Sequence, residues 1–202
     1  MKTRKQKGAM SYLSPDELLK VLRVAKEHSL RDWCMVLVSY RHGLRASEIC
    51  GLKLTDIDRK DGSISIKRLK GSLHTTQPLY QHRGQPLLDE HKAVKAYLAE
   101  RPQTGGNALF VSQKGKKGGH LDRSAWNRIF KAIAEEAGMP AEKCHCHVLK
   151  HSLANHLIKG NVNLALVKQS LGHANIQSTM KYLGVTDAEA SEATAKALMD
   201  IF

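Results

Sequence analysis

Apolar residues recur along this 202-residue chain at two different intervals, which separate helices from strands. Ser14-Pro15-Asp16-Glu17 supplies a capping hydroxyl, a proline at the first helical position and a carboxylate two residues on, a helix start. Leu18, Leu19, Leu22 and Ala25 give that helix its apolar face. A second helix is expected from about Leu30 to Arg41, with Trp33, Leu37 and Tyr40 at helical spacing, and Gly43 breaks it. Ser47 to Leu52 reads as a short helix. The interval then changes to two: Ser63 to Lys67 alternates as a strand, Lys70-Gly71 turns, and Thr75 to Leu79 returns. Leu109-Phe110-Val111 is expected as a short third strand.

Helical spacing resumes over Asp89 to Glu100, with Val94, Tyr97 and Leu98 inward, and over Arg123 to Ala137. In the latter, Trp126, Ile129, Phe130, Ile133 and Ala137 share a face, and Gly138 and Pro140 end it. Trp126 is therefore a core residue rather than a base-stacking one. His147 to Lys159 and Asn163 to Leu171 form two more helices closed by Gly160 and Gly172, and a last helix is expected from about Asp187 to Phe202. No internal repeat is present. The pattern predicts a mainly α (α+β) fold with one small antiparallel three-stranded sheet. It divides into a basic tail over 1–12, a main domain over 13–185 and a C-terminal helix over 186–202.

Composition narrows the partner. An apolar content of 42% suffices for one real core, while a net charge of +13 and a pI near 9.7 point to a polyanion, most simply nucleic acid. A ribosome-associated or merely basic soluble protein would share that charge. The basic start, Met1 to Gly8, either lies along phosphates or keeps the chain in solution. Gln113 to Gly119 is a basic loop that can bring Lys114, Lys116 and Lys117 to phosphates or form a solvated turn. No stretch is apolar enough to span a bilayer and the N-terminus lacks a signal-like apolar run, so a cytoplasmic, nucleoid-associated protein without membrane attachment is expected.

The four cysteines, Cys34, Cys50, Cys144 and Cys146, read as reduced residues of a cytosolic protein. Cys144-His145-Cys146-His147 invites a zinc assignment, but its alternating ligands have no second pair at zinc-finger spacing, and no metal is expected.

Candidate chemistry falls in three clusters. These are Gly43-Leu44-Arg45-Ala46-Ser47-Glu48, then Lys70 in its turn, then His147-Val148-Leu149-Lys150-His151 with Leu171-Gly172-His173 and Tyr182 nine residues beyond. Each alone has a bland reading: a structural histidine, a solvated lysine, a packing tyrosine. Their order and spacing resemble the catalytic signature of the tyrosine recombinases, the phage integrase family, over almost the whole chain. The likeness is strongest to short members such as the fimbrial phase-variation invertases, in Tyr40-Arg41-His42-Gly43-Leu44-Arg45 and the Lys70 to Leu79 hairpin.

The resemblance implies a nucleophilic Tyr182 that forms a 3′-phosphotyrosyl linkage and frees a 5′ hydroxyl, with no cofactor and no metal because the ester keeps the bond energy. Phosphodiester exchange passes through a pentacoordinate state with extra negative charge, which cationic donors stabilise. Arg45 would grip two phosphoryl oxygens, Glu48 would buttress Arg45 or be a surface carboxylate, and Lys70 would protonate the leaving 5′ oxygen. His147 and His173 would donate to the phosphoryl oxygens or take the proton from Tyr182. Lys150 stands where the family usually has arginine, keeping the charge but losing the two-point fork.

The implied activity is site-specific cutting and rejoining of duplex DNA, by a homo-tetramer on two sites, with accessory DNA-bending proteins as possible partners. A topoisomerase-like relaxing activity uses the same chemistry without a partner site. A non-catalytic DNA-binding regulator disabled at Lys150 is the alternative from another class. Larger members add an N-terminal clamp domain, for which only about forty residues precede Arg45. The helix after Tyr182 would dock on a neighbouring subunit, as in the family, or pack on its own domain.

Overall fold

The computed structural model describes residues 11–68, 74–103, 106–112, 119–180 and 182, with isolated positions 191, 194, 195 and 199. It is mostly helical with one small sheet, as the spacing predicts. Helix α1 (Pro15–His28) begins with a full capping box: the Ser14 hydroxyl accepts from the Glu17 amide, and the Glu17 carboxylate accepts from the Ser14 amide. Its buried face is Leu18, Val21, Leu22 and Ala25, whereas Leu19 is only half-buried. Val21 completes the i, i+3, i+4, i+7 stripe that Leu19 would break.

Helix α2 (Leu30–Arg41) is the centre of the core, buried from Asp32 to Tyr40 and packed against α1, α4 (Glu90–Glu100) and α6 (His147–Lys159). A helix that is apolar nearly all round must be enclosed on every side. Trp33 remains satisfied there because its indole N–H donates to Leu87 O at 3.0 Å. At its C-terminal end His42 is buried between Glu90 Oε1 and Gln77 Oε1, each 2.7 Å away.

After the short helix α3 (Ala46–Cys50) comes a sheet ordered β1 (Ile57–Asp58), β2 (Ser63–Ile66), β3 (Thr75–Pro78), all antiparallel, with Ile57 opposite Ile64 and Ile66 opposite Thr75. The third strand is thus Ile57–Asp58 and not Leu109-Phe110-Val111. The Asp58 carboxylate nucleates its turn by accepting from the amides of Lys60 and Asp61. At 109–111 side chains have taken the place of a ladder: Leu109 O accepts from Tyr97 Oη and Arg101 Nε, and Phe110 stacks on Tyr97. Its backbone pairing among the described residues is limited to isolated bridges, Lys53 with Ala108 and Val111 with His120.

Helix α5 (Arg123–Glu136) buries Trp126, Phe130, Ile133 and Ala134 against α1 and α3, with Ile129 and Ala137 half-buried at the margin. Trp126 is core, as expected. Helices α6 and α7 (Leu164–Ser170) lie where the pattern puts them, and a one-turn helix α8 (Gln177–Met180), not anticipated, leads to Tyr182. The expected helix over Asp187–Phe202 and the tail over 1–12 fall largely outside the described residues. No helix among the described residues is long and apolar enough to cross a membrane.

Candidate active site

The turn after α2 carries the first cluster. Gly43 has φ +55°, and a Cβ there would lie 2.7 Å from Leu171 Cδ2 and 3.3 Å from Leu153 Cδ2. Only glycine lets this turn press onto α6 and the end of α7. Arg45, which precedes α3, is gripped twice by Glu48: its amide donates to Oε2 at 2.8 Å and its Nη1 to Oε1 at 2.7 Å. The Arg45 side chain keeps a third of its surface open, whereas the Glu48 side chain has none, so Glu48 is a buried support and not a surface carboxylate. Burial alone would raise the Glu48 carboxyl. The hydrogen bonds from Arg45 and the charges of Arg68 and Arg45 outweigh it and hold the pKa below the usual value.

Arg68 has no role in the sequence reading, yet it is the hub of the site. Its Nη1 reaches Gly43 O and Glu48 Oε2 at 3.3 Å each, and its Nη2 reaches His42 O at 2.8 Å and Ser170 O at 3.1 Å. Gly172 (φ +63°) closes over it; a Cβ there would stand 2.6 Å from Arg68 Nε. The signal was present as alternation: Ile64 and Ile66 face inward, and residue 68 falls on the same side of the continuing chain.

Lys150, on α6, is also turned inward. Its Nζ donates to Gly43 O and Leu171 O at 2.8 Å each, and the residue is 6% exposed. Burial, then the nearby charges of Arg68 and Arg45, lower its pKa to about 7, with Glu48 opposing. His173 follows Gly172, and its Nδ1 meets Thr179 Oγ1 at 2.9 Å. Burial first, then Lys150, Arg45 and Arg68, lower its pKa to about 4, so the ring is neutral at physiological pH. His147, the first residue of α6, keeps an exposed surface. Partial burial of its ring, then His145, Lys150, Arg45 and Arg123, lower its pKa.

Tyr182 is half-buried, and its hydroxyl lies 2.9 Å from His151 Nδ1. Burial raises the phenol's pKa, and Arg45 pulls it partly back. The charge of Arg45 thus acts on Tyr182, His147, His173 and Lys150 alike, which puts all four within coulombic reach of one guanidinium. His151 stands within the His147 to His151 string without an assigned role. Its place one helical turn beyond His147, on the same face, is the signal that could have marked it. Lys70, Lys114, Lys116 and Lys117 lie outside the described residues.

The cysteine-histidine string does not gather as a metal centre. Cys144 Sγ donates to Met139 O and Pro140 O, and Cys146 Sγ to Asn127 Oδ1, both from buried positions. Burial raises both thiols, that of Cys146 to about 11. A cavity of about 480 Å³ opens beside Arg41, His42, Thr75, Leu153 and Ser170. It touches two of the residues whose carbonyls hold Arg68, His42 and Ser170, but none of the five candidate catalytic residues among the described residues lines it.

Residues 11–189 match the model of the phage integrase family. The type 1 fimbriae regulatory protein FimE of Escherichia coli K12 is 35% identical over 156 residues, 75% of this chain and 73% of that protein. FimB of the same strain is 34% identical over 187 residues, 90% of this chain and 88% of that protein. Among solved structures, the XerH site-specific recombinase bound to its difH substrate before cleavage superposes with a TM-score of 0.76 at 25% identity. The match covers 96% of this chain but 56% of that one, so the chain spans little more than half of XerH. A match over nearly the whole chain, together with relatives above 30% identity, leads to one conclusion: the chain belongs to the phage integrase family, the tyrosine recombinases.

Proposed function

We propose that this protein is a site-specific recombinase that cuts and rejoins duplex DNA with Tyr182 as nucleophile. The observation that carries the reading is the half-buried phenol of Tyr182, whose oxygen lies 2.9 Å from His151 Nδ1 and which feels the charge of Arg45. The Tyr182 oxygen attacks the scissile phosphorus, a 3′-phosphotyrosyl bond forms, and the 5′ oxygen leaves with a proton from Lys70. Arg45, its fork steadied by Glu48, binds the non-bridging oxygens as their charge grows. His173 and His147, both neutral at physiological pH, donate to those oxygens without competing for their own desolvation as cations. Lys150 contributes its positive charge from beneath the phosphate site, not a direct two-point grip, because its ammonium is already bonded to two carbonyls. No cofactor is needed, since the phosphotyrosyl ester conserves the energy of the broken bond.

Duplex DNA is the partner, in keeping with the net charge of +13 and the DNA-bound XerH homologue. Four copies would act on two sites to integrate, excise or invert a segment, with bending proteins assisting and the segment over 186–202 docking between subunits. Lys114, Lys116 and Lys117 would meet phosphates. The inward ammonium of Lys150 also favours a second reading, a DNA-binding regulator without cleavage. A nicked suicide duplex separates the two. Native protein should give a covalent protein-DNA band on a denaturing gel that disappears in Tyr182→Phe. The absence of any band on a duplex that the protein binds specifically would leave the regulator.

A further inference from the structure

Tyr182 Oη and His151 Nδ1 are 2.9 Å apart, with ring centroids separated by 5.7 Å and planes tilted by 50°. With its proton on Nε2 the neutral imidazole of His151 would accept at Nδ1, and the phenol would then donate along this contact. No hydrogen bond joins His147 to Tyr182 among the described residues, although the family resemblance offers His147 for that proton. We propose that His151 is the base of the reaction, accepting the phenolic proton of Tyr182 as its oxygen attacks phosphorus and returning it when the phosphotyrosyl bond is broken.

The step balances. The Tyr182 O–H bond breaks as Nδ1–H and O–P form, and the P–O5′ bond breaks with its electron pair on the 5′ oxygen, which Lys70 protonates. In rejoining, the 5′ hydroxyl attacks, and His151 hands its proton to the departing phenolate. This assignment rests on the recombinase reading, and it deepens that reading by naming the group that activates the nucleophile.

The surroundings make the base conditional. His151 faces His145, whose ring centroid is 6.5 Å away, with His147 and Lys150 on its own helix and Tyr182 beyond, and Arg45 faces Tyr182. Burial first, then His145, His147 and Lys150, lower the imidazole pKa to about 4, while burial raises the phenol. Without DNA the proton stays on Tyr182 and the nucleophile is idle. A scissile phosphate adds negative charge beside the ring, which favours the imidazolium and so couples proton transfer to the presence of substrate.

The test compares single-turnover adduct formation on the nicked duplex by native protein, His151→Ala and His151→Gln, from pH 6 to 9. His151→Ala should be slower by about 10²- to 10⁴-fold at pH 7, with DNA affinity within twofold of native. The ratio of variant to native rate should climb with pH as hydroxide ionises the phenol, and added imidazole should recover part of the loss. Taking the ratio at each pH removes the titration of Lys150, common to both proteins. A variant within threefold of native, a faster variant, or a deficit unmoved by pH and imidazole overturns the assignment while leaving the recombinase reading intact. If native protein forms no adduct, both fall. A DNA-free measurement guards against misfolding. The Tyr182 signal in protein carrying ¹³Cζ-tyrosine, identified by its loss in Tyr182→Phe, should shift in His151→Gln while the other four tyrosines hold. An unmoved Tyr182 signal would show that the contact is not made, which also overturns the proposal.

Discussion

Replacing Lys150 with methionine should stabilise the protein at acid pH while abolishing cleavage. The ammonium of Lys150 sits in a dry site, and its pKa falls from 10.5 to about 7 on folding. The sign follows from proton counting. Above about 10.5 the group is neutral in both states and contributes nothing. As pH falls from there toward about 7, the unfolded chain binds a proton that the folded one refuses, so folding is progressively penalised. Below about 7 the penalty is complete, on the order of 5 kcal/mol at 1.36 kcal/mol per pKa unit. Methionine is similar in length and removes the charge. Against this gain, Leu171 O loses a donor, at a cost of about 1–3 kcal/mol, whereas Gly43 O keeps Arg68 Nη1. The net expectation is a variant about 2–4 kcal/mol more stable than native at pH 6 and roughly equal to it at pH 9.

Urea unfolding at the two pH values measures this directly. The advantage of Lys150→Met over native should shrink by about 3 kcal/mol between pH 6 and pH 9, with the urea slope unchanged. An advantage that is constant across pH would mean that the lysine is not held at a lowered pKa by burial. A variant less stable at both values would mean that the two carbonyl bonds outweigh the buried charge. Adduct formation by the same variant should be lost at every pH, since the charge proposed to lie beneath the phosphate is gone.

The arginine variant tests the same charge from the other side. Native cleavage should decline as pH rises through about 7 and Lys150 loses its proton, whereas Lys150→Arg should hold its rate to higher pH, read from single-turnover rates. Gly172→Ala should destabilise by about 1–2 kcal/mol from its left-handed backbone alone, and further because its methyl would strike Arg68; a thermal melt reads the loss. Glu48→Gln should weaken adduct formation more than DNA binding, because it releases Arg45 and uncovers the Arg68 charge; equal losses in both would contradict a positioning role.

The parts legible in the sequence were those decided by local spacing. The Ser14 capping box, the helix α2 and the face of Trp126 and Phe130 each follow from residues a helical turn or two apart. What escaped depends on partners far along the chain. Arg68 escaped because three of its four acceptors are backbone carbonyls, at 42, 43 and 170, which carry no residue-type signal, and the fourth, the Glu48 carboxylate, lies twenty residues back along the chain. The third strand went to Leu109-Phe110-Val111 because three apolar residues look alike whether they face a ladder or, as here, have Leu109 O taken by Tyr97 and Arg101. Tyr182, by contrast, was found through its interval from His173, but nothing in that interval could say that its hydroxyl would face His151.

The two inward cations explain how a lysine can stand at position 150. The carbonyls that hold Arg68 and Lys150 are those of His42 and Gly43, the cap of α2 and the residue after it, and of Ser170 and Leu171, the last residue of α7 and its cap. Helix ends leave such carbonyls without intrahelical donors and carry partial negative charge, so a buried cation there satisfies both needs at once. Arg68 brings the planar fork and reaches both ends; Lys150 then has to supply only a point charge and two bonds, a task that suits its compact ammonium. Lys150 already shares Gly43 O with Arg68, and an arginine at 150 would have to bring a wider fork into the space that Gly43 and Gly172 leave open by lacking a Cβ. It also follows that the net charge overstates the DNA-facing surface, since Arg68 and Lys150 are spent inside the fold, where Arg68 with Glu48 sets the direction in which Arg45 points.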